Sequence, residues 1–429
     1  MPGCLNSFQR AMLHWNDLHP YNAMLVFRLP MALERERLAW VINGTLEGHG
    51  LTGLTLNRTR GTFHYAGGRV TCEINPLAAG ADPQATLVAE IDRQLNTPFA
   101  ISGQFNPFRF FTMPQADGFS LGVVFIHVVA DGEAIMLLMR EIIETYLNPA
   151  VPRSFEPLEL YPQCKDGLLS HPKLLLKKLA SLPAQIRDTR QSNRRACANP
   201  EDGTNRFMGF VVSASDLETL VKTAKKWNTP LNDLVMALML MCFARLKSDR
   251  QNHPRRRKIS FGCIVNIRKG LELRGRRAFG PFLGSFVVSH ELPAGIGLME
   301  LAKDIKRQSM AIKKSRLYMA SGLELAFGRF MASWQSPARK KTMYAKNFPL
   351  WGGVTNINFN AAWPQASGAQ SVDCFGAVST GPTVPLVFAF MMVRDVVNLT
   401  ITYRPAFYTE AEIGQIKTTF LELVAQLKP

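Results

Sequence analysis

The segment from Phe119 to Gly132 constrains the fold more strongly than any other part of this chain. Its first residues, as far as Ile126, are almost wholly apolar and rich in strand-forming types, which predicts a buried strand. The apolar residues that follow Gly132 recur with the spacing of an amphipathic helix: Ile135, Leu138, Met139, Ile142 and Tyr146. The sequence therefore predicts a strand-to-helix junction between His127 and Gly132. Loops held between such rigid elements often carry catalytic groups.

The predicted junction has the sequence His-Val-Val-Ala-Asp-Gly, from His127 to Gly132. A histidine has an ordinary pKa of about 6.5, so at the end of a buried strand it can act as a general base near neutral pH. Asp131 is expected either to orient the imidazole or to pair with an arginine that holds the loop in shape. Gly132 permits a sharp turn or a close backbone approach. The residues alone also allow a second interpretation, in which His127 is a hydrogen-bonded core histidine.

Two other kinds of site find little support in the sequence. Gly118 to Gly122 fits the G-x-S-x-G pattern of serine hydrolases, but that pattern needs a helix after the serine. The residues after Ser120 are strand-like instead. The eight histidines show no metal-binding spacing, no glycine-rich phosphate loop is present, and the seven cysteines lie far apart. We therefore predict no metal site, and reduced thiols as in a cytoplasmic protein.

The rest of the chain mixes strand and helix patterns, which predicts an α/β (α+β) protein. Ala23 to Leu29 is strand-like, and a helix is expected from about Ala32. The second half begins its own core with helices around Leu217 and from about Asn232. A hairpin is predicted to turn at Arg394-Asp395, and a clear amphipathic helix ends the chain. We expect an N-terminal lobe over residues 1–164, a basic crossover segment over 165–200, and a C-terminal lobe over 201–429.

The crossover segment is strongly basic, in a chain whose net charge is +17. Residues 165–195 hold eight Lys or Arg and a stripe of apolar residues at helical spacing: Leu175, Leu179, Leu182 and Ile186. Pro183 is predicted to break or kink this helix. Two interpretations remain open at this point: a connection with a solvated basic face, or a surface helix that rests on anionic lipid.

The composition also limits the partners. A basic protein attracts anions such as acidic lipid, an acidic carrier protein or coenzyme A. The basic runs at residues 253–258 and 274–277 carry no interleaved aromatic residues, so we do not expect nucleic acid as a partner. The first residues lack the layout of a secretion signal, and no apolar stretch approaches the roughly 20 residues of a spanning helix. The sequence thus predicts a cytoplasmic protein, with peripheral contact to the inner membrane as an option.

Several segments, taken together and in this order, resemble the coenzyme A-dependent acyltransferase superfamily. Its members include chloramphenicol acetyltransferase, plant hydroxycinnamoyl-type acyltransferases, condensation domains of nonribosomal peptide synthetases, and bacterial lipid and wax ester acyltransferases. The similar segments are Phe125 to Gly132, Pro230 to Val235, and Val265 to Arg268 followed by Phe279 to Gly284. Many condensation domains have a second histidine where this chain has Ile126, and the plant Asp-Phe-Gly-Trp-Gly motif is absent. The chain looks nearest to stand-alone bacterial lipid or wax-ester-type enzymes.

The resemblance implies two chloramphenicol acetyltransferase-like lobes, each a mixed sheet covered by helices, with an active-site tunnel between them. It implies that His127 is the general base, that Asp131 pairs with Arg268, and that Thr355 or Asn356 binds the oxyanion or substrate. The co-substrate would be a coenzyme A or phosphopantetheine thioester, with no permanently bound cofactor. The acyl group would pass from acyl-CoA or an acyl carrier protein to the hydroxyl of a small, lipophilic acceptor. Amide formation, or non-catalytic binding of a carrier protein or membrane surface, are the alternatives.

Overall fold

A computed structural model of the chain describes residues 3–69, 71–78, 80–148, 156–162, 172–248, 250, 252–273, 275–336, 339, 344, 347, 349–363 and 372–427. Within these ranges the strands are β1 (Gly3–Cys4), β2 (Asn22–Leu29), β3 (Leu54–Asn57), β4 (Thr62–Tyr65), β5 (Ile74–Pro76), β6 (Gln104–Phe105), β7 (Phe108–Gln115), β8 (Gly118–Ile126), β9 (Glu159–Leu160), β10 (Arg206–Val212), β11 (Ile259–Asn266), β12 (Ala278–Phe279), β13 (Leu283–His290), β14 (Leu350–Asn358), β15 (Asp373–Val378), β16 (Leu386–Val393) and β17 (Val396–Tyr403).

The helices in the same ranges are α1 (Ser7–Asn16), α2 (Arg35–Gly48), α3 (Pro83–Asn96), α4 (Gly132–Leu147), α5 (Pro172–Gln191), α6 (Ala214–Lys226), α7 (Leu231–Ala244), α8 (Leu298–Ser315), α9 (Ser321–Ser333), α10 (Phe359–Ala362) and α11 (Glu410–Ala425). No described helix is both long enough and apolar enough to cross a membrane.

A five-stranded sheet with the order β15-β2-β8-β7-β5 forms the centre of the N-terminal lobe. Strand β8 lies in its middle, antiparallel to both β2 and β7. Eight of its nine residues are buried, which is why its sequence lacks the alternation of a strand with one wet face. The helix α4 follows at once, so both the predicted strand and the predicted helix are confirmed.

A six-stranded mixed sheet with the order β10-β17-β16-β14-β11-β13 forms the C-terminal lobe. Helix α7 is apolar on nearly all sides because it packs against the sheet, α8 and α11 together. The predicted hairpin is confirmed: β16 and β17 pair antiparallel, and Arg394 turns between them with a φ of 53°. The two sheets covered by helices confirm the predicted fold class.

The two lobes exchange segments, whereas the sequence predicted contiguous lobes over residues 1–164 and 201–429. Strand β15 belongs to the C-terminal half of the chain but pairs antiparallel with β2 in the N-terminal sheet. In the other direction, β9 pairs with β12 of the C-terminal half. The region 201–429 is therefore not one self-contained lobe. The predicted boundary at residue 164 and the segment 165–171 lie outside the described residues.

The sequence predicted that Pro183 breaks or kinks helix α5, and the structure shows this helix running through Pro183 without a break. A proline inside a helix removes the hydrogen bond to the carbonyl four residues earlier, here that of Leu179. Leu179 is 51% exposed, so water can satisfy the carbonyl that the proline leaves without a donor. The helix can therefore continue through the proline because it lies on the surface.

Candidate active site

His127 lies directly after the last residue of β8, at the interface between the two lobes. Its backbone N–H donates to the carbonyl oxygen of Tyr21 at 3.0 Å, which continues the pairing of β8 with β2. The imidazole stacks on the ring of Tyr21, with centroids 5.5 Å apart and planes at 16°, and meets the edge of Phe125 at 5.9 Å. Two aromatic rings therefore fix the orientation of a half-buried imidazole.

The hydrogen bond of the imidazole determines which nitrogen can act as a base. Nδ1 of His127 lies 3.0 Å from the carbonyl oxygen of Ala130, and a carbonyl can only accept. Nδ1 must therefore carry the proton, which leaves Nε2 with a lone pair. Burial lowers the pKa of His127 below its ordinary value, although the Ala130 carbonyl and the charge of Asp131 partly oppose this shift. The imidazole is consequently neutral near pH 7.

Asp131 forms the polar centre of the junction loop and is only 3% exposed. Arg268 donates to both of its carboxylate oxygens, from Nη1 at 2.7 Å and from Nη2 at 2.9 Å. The backbone N–H groups of Ala134 and Phe282 donate to it as well, each at 2.9 Å. Through the bond from Ala134, Asp131 caps the first turn of α4. The structure thus brings Asp131 and Arg268 together, and Asp131 orients the loop rather than bonding the imidazole.

Arg268 is equally buried, at 3% exposure, and joins the two lobes at this point. Besides Asp131, its guanidinium donates to the carbonyl oxygens of Gly280 at 3.1 Å and Ala278 at 3.4 Å. It also lies over the ring of Phe282, 4.7 Å from the centroid. A planar guanidinium suits this arrangement, since its donors point in fixed directions that a lysine cannot reproduce.

Gly132 is required by a close approach and not by a turn. A Cβ atom at this position would lie 2.4 Å from Cδ1 of Ile357 on β14. Its φ is not in the left-handed region, so the conformation itself does not demand glycine. The first turn of α4 in one lobe can therefore touch the end of β14 in the other.

The contact between Gly132 and Ile357 distinguishes the two residues predicted to bind the oxyanion, Thr355 and Asn356. Thr355 is two residues before Ile357 on β14, so both side chains lie on the sheet face that meets Gly132. Thr355 is half-buried, whereas Asn356 points to the opposite face and is exposed. The structure brings Thr355, and not Asn356, to the same side as the His127 loop.

Two side chains that sequence reasoning did not identify hold the backbone of this loop, and a third contacts one of them. Gln9 on α1 donates from Nε2 to the carbonyl oxygen of Val128 at 2.9 Å. The hydroxyl of Tyr161 donates to the carbonyl oxygen of Val129 at 2.8 Å and also contacts the hydroxyl of Tyr65 at 2.9 Å. These residues are far from His127 along the chain and belong to no recognisable motif, so only the fold reveals them.

The described side chains include no group of three or more His, Cys, Asp or Glu that could hold a metal ion. The tunnel between the lobes stays a prediction.

Solved structures of similar fold cover the whole of this chain. The first condensation domain of the calcium-dependent antibiotic synthetase, in complex with a substrate analogue, has a TM-score of 0.71 at 13% identity, covering 100% of this chain and 97% of that chain. The epimerization domain from the third module of tyrocidine synthetase B has a TM-score of 0.65 at 13% identity, covering 100% and 96%. The EpoB NRPS cyclization-docking bidomain from Sorangium cellulosum has a TM-score of 0.71 at 11% identity, covering 100% and 85%.

These similarities define the class of the fold. The chain has the two-lobed fold of these condensation, epimerization and cyclization domains. No protein-family model matches the chain, and no curated protein matches it. At these identities the likeness establishes the fold alone, because unrelated activities share folds.

Proposed function

We propose that this chain is an acyltransferase that moves an acyl group from a thioester to a hydroxyl acceptor, with His127 as general base. One observation carries the proposal: the bond from Nδ1 to the Ala130 carbonyl leaves Nε2 as the proton-accepting nitrogen of a neutral imidazole. The lowered pKa of His127 keeps that nitrogen unprotonated at neutral pH. The two aromatic rings hold it in one orientation.

The reaction follows from these groups. Nε2 of His127 takes the proton of the acceptor hydroxyl while the oxygen attacks the carbonyl carbon of the thioester. The resulting tetrahedral intermediate collapses, the carbon–sulfur bond breaks, and the leaving thiolate takes the proton back from the imidazolium. Asp131 and the Ala130 carbonyl stabilise the transient imidazolium, since both favour its charge. Asp131 and Arg268 hold the loop and do not exchange protons with substrate.

Thr355 is the better of the two candidates for the oxyanion. Its side chain shares the face of β14 with Ile357, which touches the loop at Gly132. A hydroxyl placed to donate to the developing negative charge can lower the barrier by about 3 kcal/mol in a site from which water is excluded. Asn356 points away from this face, so we assign it no part in the chemistry.

The donor is proposed to be a coenzyme A or phosphopantetheine thioester, the latter on an acyl carrier protein. The net charge of +17 supports an anionic donor, because both donors carry phosphate. We propose a lipophilic alcohol as acceptor, as in the lipid and wax-ester branch that the sequence resembles. Amide formation on an amine is the second candidate, and the similarity to condensation domains of peptide synthetases favours it.

The test is thiol release from a panel of acyl-coenzyme A and acyl-carrier donors with mixed alcohols and amines. The wild type is compared with His127→Ala and with His64→Ala, a matched control at an exposed histidine on β4. Acceptor-dependent release that is lost only in His127→Ala supports the proposal, and the best acceptor distinguishes ester from amide formation. Release that survives in a folded His127→Ala variant, or no release from any donor, contradicts it.

A further inference from the structure

Helix α5 has the reverse of the usual pattern of burial. Leu176, Leu179 and Ile186 are 66%, 51% and 51% exposed, whereas Lys178 is only 4% exposed. The ammonium group of Lys178 pairs with Glu324 on α9, so a polar contact attaches this helix to the C-terminal lobe. Large apolar side chains that stay in water are unfavourable, and a contiguous group of them marks a surface for interaction.

The large exposed apolar residues of α5 lie on one face. At about 100° per residue, Leu176, Leu179, Pro183 and Ile186 fall within an arc of about 80° around the helix. Arg187 and Arg190 lie in or beside this arc, and Arg187 is exposed next to Ile186. The outer face of α5 therefore combines aliphatic side chains with guanidinium groups, which is typical of helices that lie in a membrane interface.

A groove of about 890 Å³ adjoins this face and is rich in arginine. Arg187, Arg190 and Arg194 line one wall, and the other is formed by a loop that presents three successive arginines, residues 255–257. Pro183 and Ile186 belong both to the outer face of α5 and to the lining of this groove. The apolar face and the cationic groove are thus one continuous surface.

The loop that presents the arginines is held in place by specific hydrogen bonds. Arg250, which is 3% exposed, donates to the carbonyl oxygens of Arg257, at 3.1 Å, and Glu291. Nδ1 of His253 accepts from the backbone N–H groups of Arg255 at 3.2 Å and Arg256 at 3.0 Å. The arrangement of the cations is therefore built into the fold.

The groove concentrates positive charge with little to neutralise it. Glu291 is the one acidic residue among its lining residues. Burial and, to a smaller extent, the neighbouring charge of Arg256 lower the pKa of Arg194, as expected for like charges that line one groove. A ligand with several phosphate groups would relieve that repulsion, and arginine binds phosphate with paired donors.

We propose that the outer face of α5 and the arginine groove form a docking surface for an anionic lipid bilayer. The aliphatic side chains enter the boundary between headgroups and acyl chains, and the arginines bind lipid phosphates. A bilayer explains both halves of the surface, because an acidic protein would account for the arginines but not for three protruding aliphatic side chains beside them. This role does not depend on the proposed chemistry at His127.

The experiment is sedimentation of the full chain with vesicles of phosphatidylcholine alone, or of equal parts of phosphatidylcholine and phosphatidylglycerol. We expect binding to the mixed vesicles only, and weaker binding at raised salt. Replacing the three loop arginines, Arg255→Gln/Arg256→Gln/Arg257→Gln, should weaken binding on the order of 100-fold. The apolar variant Leu176→Ser/Leu179→Ser/Ile186→Ser should weaken it at least about tenfold.

Matched controls remove similar groups elsewhere on the surface. Lys225→Gln/Lys226→Gln takes exposed cations from α6, and Val211→Ser/Met299→Ser takes exposed apolar side chains from β10 and α8. Both controls should bind the mixed vesicles like the wild type, and circular dichroism verifies that every variant is folded.

Three results would overturn the proposal. The first is equal binding to neutral and anionic vesicles, and the second is full binding by both the arginine and the apolar variants. The third is binding that depends on the arginines, ignores the apolar substitutions and is displaced by polyglutamate, which would indicate a site for an acidic protein. If the triple apolar variant unfolds, Leu179→Glu replaces it, because a single exposed position tolerates the charge and should still repel the bilayer.

Discussion

Replacing Arg268 with alanine tests the structural centre of the active-site loop. The substitution leaves the carboxylate of Asp131, which is 3% exposed, without the two charged donors at 2.7 and 2.9 Å. The backbone N–H groups of Ala134 and Phe282 remain, so the carboxylate keeps part of its hydrogen bonding. Removing one partner of a buried ion pair costs about 3–5 kcal/mol, chiefly because the other charge stays buried.

The assay is urea unfolding at neutral pH, followed by tryptophan fluorescence. Arg268→Ala is compared with Arg276→Ala, which removes an arginine that also forms an ion pair, with Glu159, but is 48% exposed. The control should lose less than about 1 kcal/mol, because exposed ion pairs contribute little. Arg268→Lys should fall between them, since an ammonium cannot reproduce the two parallel donors.

A loss of stability at Arg268→Ala no larger than that of the control would refute this reasoning. It would mean that water or a neighbouring group replaces the guanidinium without cost. The double variant Asp131→Asn/Arg268→Ala provides a second check, because it removes both charges. It should recover part of the stability that Arg268→Ala loses, and a further loss instead would show that the ion pair is not the origin of the effect.

The other predictions concern the loop around His127. Because the pKa of His127 is lowered in the folded protein, the unfolded state binds more protons just below pH 6.5, and the free energy of unfolding should fall as the pH falls through that range. Comparing the unfolding of the wild type and His127→Ala at several pH values measures this contribution of His127. For the same reason kcat/KM should fall on the acidic side with an apparent pKa below 6.5, and an acidic limb with an apparent pKa above 6.5 would contradict the role of His127 as base. Gly132→Ala should destabilise the fold by about 1–3 kcal/mol in a thermal melt, because the new Cβ would lie 2.4 Å from Cδ1 of Ile357. Adding Ile357→Val removes that Cδ1 and should restore part of the lost stability. If the double variant is no more stable than Gly132→Ala, the strain does not come from Ile357. Tyr161→Phe removes the hydrogen bond to Val129 and should lower kcat several-fold and shift the acidic limb of the pH profile, whereas a change in stability alone would indicate a purely structural role.

The sequence predicted the elements that surround the site because their patterns are local. A strand buried on both faces has a continuous apolar run, and an amphipathic helix has apolar residues at helical spacing, so β8, α4 and the hairpin of β16 and β17 could be identified directly. Several segments resemble the coenzyme A-dependent acyltransferase superfamily in the same order, and this resemblance predicted the two-lobed fold and suggested Arg268 as the partner of Asp131. Each of these inferences depends on residues that are close along the chain, or on the order in which the similar segments follow one another in the sequence.

Only the tertiary structure decided which distant segments meet. The position of β15 in the N-terminal sheet depends on its hydrogen bonds to the edge of β2, about 350 residues away along the chain. Such edge pairing produces no periodic pattern in the sequence that could predict it. The register of β14 with its neighbouring strands decides on which face Thr355 lies. A shift of that register by one residue would place Asn356 on the face that Thr355 now occupies. Whether Pro183 breaks helix α5 likewise depends on whether water can reach the carbonyl that the proline leaves unpaired. Burial, register and edge pairing are properties of the assembled chain, and they position the site.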